Sequence, residues 1–212
     1  MPRHEWKQSD QEVVKVVCGW RQQNAGGLVR WARESVETLH YYADLALQES
    51  EIARNHESHI VEVAHLRSAC GAAITALDLC GAALARRFAL RDDELTGHEF
   101  DLEDFNPSGA TKNAKKTERE GHVSALREGP RRWVAETLAD PSYTKLKSFR
   151  NPLTHGRTLR HWHQGGNNDR VEFGPIDKSF APETSKSLVI GARDFATRRV
   201  ESFSLLVVAG DL

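Results

Sequence analysis

The chain has 212 residues, is 39% apolar and 28% charged, and carries a formal net charge of −1. That composition fits a single soluble globular domain and excludes a uniformly basic nucleic-acid coat, though not a local basic cleft. Three cysteines at unremarkable spacing point to reduced thiols and a cytoplasmic setting. The N-terminus has no apolar signal region, and no apolar run approaches the roughly 20 residues of a membrane span, so no membrane partner is expected.

Residues 1–9 read as a polar tail. From Asp10, a plausible cap, Val13, Val14, Val17 and Trp20 recur at helical spacing. Asn24-Ala-Gly-Gly27 is expected to break that helix, and a second should run from about Leu28 to Ser50. The strongest signal lies between about Ile52 and Leu90. There Ile60, Val63, Leu66, Ala69, Cys70, Ala73, Ile74, Leu77, Cys80, Ala83 and Leu84 recur at three and four. This should be a long central helix, and its small residues between Ser68 and Ala85 would let a neighbouring helix backbone approach closely.

Next comes a polar stretch whose charge changes sign. Arg91 to Asp104 carries six net negative charges, and Lys112 to Arg132 carries four net positive ones, with Asn106-Pro-Ser-Gly109 between them. Residues 91–120 are expected to form a polar insertion with little regular structure, within a single 1–212 domain. Val123 to Leu138 should be helical, starting afresh at Gly129-Pro130. Asp140-Pro141 punctuates, and Ser142 should cap a helix that buries Leu146 and Phe149. His161-Trp-His163 and Arg170-Val-Glu-Phe173 alternate around Gly165-Gly166-Asn167-Asn168, which predicts a small β-hairpin near 161–174. The last helix should run from about Ser185 to Ala209, although Leu188-Val-Ile190 before Gly191 also reads as a short strand. The fold class is all-α, a helical bundle.

The chemistry gathers in one window. Tyr143 to Arg160 holds Lys145, Lys147, Arg150, Arg157 and Arg160 and no acid, so this stretch of a nearly neutral chain is locally +5. His155 sits among those cations. Fixed positive charge with one group that exchanges protons near neutral pH suits a phosphodiester. Proline disfavours helical backbone in the residue before it, and Asn-Pro is a common helix start. Asn151-Pro152 should therefore end one helix and begin a short turn, bringing Arg150 and His155 to one pocket. Catalytic roles fall to Arg150, Asn151 and His155, and substrate-binding roles to Lys145, Lys147, Arg157 and Arg160. His56, His59, His65, His161 and His163 lack the acidic companions and spacing of a metal site. Cys18, Cys70 and Cys80 fall on apolar helix faces, which suits small hydrophobes better than nucleophiles. Neither a metal nor a cofactor is expected.

Arg150-Asn151-Pro152-Leu153-Thr154-His155 resembles the R-x(4–6)-H signature of HEPN domains, in which a polar residue, often Asn or Asp, follows the Arg. The resemblance rests on that motif, the helical setting and the chain size. It implies a helical bundle of HEPN type that forms a homodimer and brings two copies of the motif into one cleft. Many such proteins resemble metal-independent endoribonucleases of toxin or phage-defence systems, restrained by a regulatory or antitoxin partner. Others are non-catalytic, so a nucleotide-binding, RNA-binding or scaffold dimer is the alternative reading.

Overall fold

Helix-forming spacing becomes helix over most of the chain. The computed structural model describes residues 4–17, 23–52, 56–90, 100–154, 160–164, 170–174 and 183–212. Seven α-helices dominate these residues: α1 (Asp10–Val17), α2 (Gln23–Ile52), α3 (His56–Arg87), α4 (Asn113–Ala125), α5 (Glu128–Ala139), α6 (Pro141–Thr154) and α7 (Ser185–Ala209). Two 3-10 turns, Leu102–Phe105 and Pro107–Gly109, precede α4. Between α6 and α7 the backbone of β1 (Arg160–Gln164) pairs antiparallel with β2 (Arg170–Gly174), which also pairs with the two-residue β3 (Glu183–Thr184). Residues 165–169, where the expected hairpin would turn, lie outside the described residues.

Several boundaries differ from the sequence expectation, each for a local reason. Ser9, not Asp10, caps α1. Its hydroxyl accepts from the Glu12 N–H at 3.2 Å, and Glu12 Oε2 accepts from the Ser9 N–H at 3.0 Å, a reciprocal capping box. The Asn24-Ala-Gly-Gly27 stretch, expected to end the first helix ahead of a second starting near Leu28, instead lies within the first turns of α2. Ala25 is fully buried there, so small side chains serve close packing. Proline at the first helical position, with its φ already set, starts α6 at Pro141, which leaves Ser142 inside the helix rather than capping it. Leu188-Val-Ile190 is helical, not a strand. Thr184 Oγ1 accepts from the Ser187 N–H at 3.2 Å, and Leu188 and Val189 are buried in the first turns of α7.

The described chain divides into two compact units, each assembled from separated segments. One comprises Met1–His4, Val36–Ile74 and Pro141–Ala196. Its buried apolar residues include Leu39, Leu66, Cys70, Tyr143, Leu146, Phe149, Leu188 and Phe195. Within it Arg193 pairs with Asp44 at 3.6 Å, and the Tyr42 ring lies against His65.

The other unit comprises Glu5–Ser35, Thr75–Asp140 and Thr197–Leu212. Arg33, only 4% exposed, organises its N-terminal segment. The guanidinium lies 4.1 Å from the centre of the Trp6 ring and donates to the Gln8 carbonyl at 2.9 Å and the Ser204 hydroxyl at 3.3 Å. Trp133 Nε1 donates to the Arg199 carbonyl at 3.0 Å while its ring meets Phe203 edge-on. Arg199 in turn pairs with Glu136 at 3.1 Å and Asp140 at 3.5 Å.

Residues 100–120 carry more regular structure than the expected polar insertion, two 3-10 turns and the start of α4, while 91–99 lie outside the described residues. Phe100, Leu102 and Phe105 are buried, and the acidic residues cap the backbone rather than simply meet solvent. Asp101 and Asp104 form a reciprocal capping box over the first 3-10 turn. Burial raises the Asp101 pKa above the usual carboxylate value, and the neighbouring Asp104 charge adds to this, against the lowering effect of its backbone hydrogen bonds. Asn106 Oδ1 accepts from the Gly109 N–H at 3.1 Å. From α4, Arg119 donates to the Asn106 carbonyl at 2.8 Å, and the His122 ring lies between Phe100 and Asp104, its Nδ1–H donating to the Asp104 carbonyl at 3.0 Å. The close approach expected at the small residues of α3 is also real, but at Gly81 the neighbour is this 3-10 turn rather than another helix.

Helix α3 corrects one further expectation. Ile60–Arg87 contains an 18-residue window of mean hydropathy 1.5 and so passes, by length and composition, for a membrane span. In the folded chain 61% of that window is buried, the arrangement of a core helix.

Glycines inside helices are not all alike. At Gly191, on the exposed side of α7, an added Cβ would meet nothing within 4 Å. Gly191→Ala is expected to stabilise the protein by about 0.5–1 kcal/mol, since alanine loses less backbone entropy in a helix. Urea denaturation would show this as a higher midpoint with an unchanged slope, and an unchanged or lower midpoint would contradict it.

Candidate functional site

Helix α6 carries the Arg150-Asn151 half of the motif. Tyr143, Leu146 and Phe149, three residues apart, are buried and hold the helix in its unit. Contrary to the expected break, the helix runs without interruption through Asn151 and Pro152 to Thr154. Pro152 cannot donate to the carbonyl four residues back and its ring crowds that carbonyl, yet the helix continues two residues past it.

That continuity changes which cations share a side. Positions 147, 150, 151 and 154 follow at steps of three and four, so they lie along one side of α6. Position 145 lies about 140° around the helix from position 150. Lys147 therefore shares the side of Arg150, and Lys145 does not. The Lys147 ammonium lies 5.6 Å from the centre of the Tyr143 ring, a contact that orders its long side chain. Lys145 instead lines a small cleft of about 50 Å³ with Ser142, Leu146, Phe149, Leu188, Gly191, Ala192 and Cys70.

Of the other expected site residues, His155 and Arg157 lie outside the described residues. Arg160 is placed by its backbone at the start of β1. The structure thus brings Lys147, Arg150 and Asn151 together on one helix.

The thiols behave as packing groups. Burial pushes the Cys70 thiol up to about 12 and the Cys80 thiol higher still, so neither forms a nucleophilic thiolate at neutral pH. Cys18 lies outside the described residues. Among the described residues no three His, Cys, Asp or Glu side chains group as ligands for a metal ion. Of the histidines considered for that role, His65 lies against the Tyr42 ring.

A histidine that composition did not single out is electrostatically distinctive. The His40 ring lies 5.0 Å from that of His4, with Glu37, Asp44 and Arg193 around it. Partial burial lowers its pKa, helped by the His4 and Arg193 charges and opposed by Glu37 and Asp44. The folded state therefore favours neutral imidazole. Its contribution to stability is complete above the ordinary imidazole pKa of about 6.5 and falls as pH drops below it, where the unfolded chain protonates first. His40→Gln should flatten the fall in stability between about pH 7 and pH 5. Denaturation midpoints across that range test this, and parallel profiles would contradict it.

No family model, curated protein or solved structure matches this chain. Its functional reading therefore rests on its own residues and on the motif they form.

Proposed function

We propose that the chain is a metal-independent endoribonuclease of HEPN type that acts as a homodimer. The observation that carries this reading is the Arg150-Asn151-x-x-x-His155 pattern at the end of α6, inside an eighteen-residue window with five cations and no acid. Lys147, on the side of α6 that carries positions 150 and 151, adds a cation where a phosphate would lie.

The reaction is attack of a ribose 2′-OH on the adjacent phosphorus. His155 accepts the proton of the attacking hydroxyl, and Arg150 offsets the charge that builds on the non-bridging oxygens. The departing 5′ oxygen needs a proton as well. In a two-fold dimer His155 is present twice, so one copy acts as base and the other as acid. Asn151 orients the phosphate. The P–O5′ bond breaks, leaving a 2′,3′-cyclic phosphate and a 5′-OH. DNA has no 2′-OH and cannot react this way.

Incubation of the purified protein with labelled RNA and matched DNA in EDTA tests the proposal. The expected result is RNA cleavage that survives the chelator, leaves cyclic-phosphate ends and spares DNA. Absence of cleavage across a broad RNA panel, tRNA included, would move the assignment to a non-catalytic RNA-binding or scaffold dimer.

A further inference from the structure

The charge change along 91–132 leaves an electrostatic question. Acidic residues next to a basic run are the natural counter-ions for it, but those described here are engaged elsewhere. Asp101 and Asp104 cap the first 3-10 turn, and Glu103 Oε2 accepts from the Asn106 side-chain amide at 3.2 Å. Lys112, Lys115, Lys116, Arg127 and Arg132 are exposed and, among the described residues, make no ion pair or hydrogen bond through their side chains.

The lysines are also grouped. Lys112, Lys115 and Lys116 stand at i, i+3 and i+4 around the first turn of α4. Glu118 and Glu120 stand three and four residues on from Lys115 and Lys116, close enough to pair with them, yet no such ion pair forms among the described residues. The first turn holds no acidic residue, and Lys112 at the N-cap supplies no side-chain bond to the backbone. Three cations at the positive end of a helix dipole oppose folding of that turn, and a bound anion would relieve the repulsion. The turn is nonetheless firmly anchored, through Arg119 to the Asn106 carbonyl and His122 to the Asp104 carbonyl.

We propose that this anchored basic face, centred on Lys112, Lys115 and Lys116, binds the phosphate backbone of RNA; the choice of RNA as the polyanion rests on the ribonuclease reading. Lysines are point charges without a planar fork, so they suit sequence-independent contact with successive phosphates. A membrane surface would call for apolar side chains beside the cations. Among the described residues the large exposed apolar ones are Trp31, Tyr41, Ile60, Val61, Leu205 and Val208, none in this segment.

The test is fluorescence anisotropy with labelled single-stranded RNA, using His155→Ala as the parent to prevent turnover. The compared variant adds Lys112→Gln, Lys115→Gln and Lys116→Gln. Affinity should fall at least about tenfold at low salt, and the slope of log affinity against log salt should shrink by roughly 2, from three phosphate contacts. With His155 intact, the lysine changes should raise KM and leave kcat unaltered. The melting temperature should be unchanged or higher, which separates lost contacts from lost folding. Equal affinity and equal slope would overturn the proposal while leaving the ribonuclease reading intact. Lysine-dependent RNA binding without any cleavage by the unmodified protein would do the reverse. Tighter binding to polyglutamate or to anionic vesicles than to RNA would also overturn it.

Discussion

His155→Ala and Arg150→Ala should each reduce EDTA-resistant RNA cleavage by about 10²–10⁴-fold while leaving the helical far-UV spectrum unchanged. The two losses have different origins. Removing the imidazole takes away proton transfer, whereas removing the guanidinium takes away charge stabilisation that matters most in the transition state. Both should therefore appear chiefly in kcat. A two-fold site that uses His155 as acid from one subunit and as base from the other makes a sharper demand. Titrating the unmodified protein with His155→Ala should reduce activity as the square of the unmodified fraction, because mixed dimers lack one of the two roles. A linear decrease would show that each subunit works alone. The continuity of α6 adds a ranking. Lys147→Ala should raise KM for RNA, and Lys145→Ala should affect it less, since position 145 lies away from position 150 and lines the small cleft. Cleavage retained by both His155→Ala and Arg150→Ala would place the chemistry elsewhere in the chain or in a contaminant.

How much of this was legible in the sequence follows from which forces set each element. The long helices were legible because their apolar residues recur at helical spacing and are buried there, as with Leu66, Ala69, Cys70, Ala73 and Leu77. Composition around Asn24-Ala-Gly-Gly27 misled because weak helix propensity is readily overridden by packing, and Ala25 and Leu28 pack. Pro152 misled because proline's effect on the residue before it is a bias rather than a prohibition, and Asn151 stays helical. The division into two units left no mark, since apolar spacing continues along α2, α3 and α7 while their halves belong to different units. The 100–120 stretch was hidden by its charge. Asp101 and Asp104 read as part of an acidic run, yet their three-residue separation is that of reciprocal caps. At the site, residue types and local charge could be read from the chain, whereas the sides on which the cations fall depended on whether α6 continued past Asn151.

The 100–105 turn also sets a structural sensitivity outside the site. Gly81→Ala should destabilise the protein by about 1–3 kcal/mol, although alanine is the better helix former. A Cβ at position 81 would lie 2.9 Å from both the Cα and the N of Leu102 and 3.2 Å from the Asp101 carbonyl carbon. These are backbone atoms, so relief cannot come from a rotamer change. The turn would have to move, and it is held on several sides. Leu102 N–H donates to Asp78 Oδ1 at 3.3 Å from the same helix, and the Asp101–Asp104 box fixes the backbone on either side. Phe100, Leu102 and Phe105 are all buried, so lifting the turn would expose apolar surface and loosen the hold on Arg119 and His122 as well. The strain should thus appear as faster hydrogen exchange at Leu102, Asp104 and Asn106 as well as a lower urea midpoint. Gly191→Ala is the matched control: the same substitution in a helix, but into open space, with the opposite sign expected. If Gly81→Ala proved as stable as the parent, the turn would be shown to move away from α3 freely, and the anchoring argued for the lysine face of α4 would fail with it.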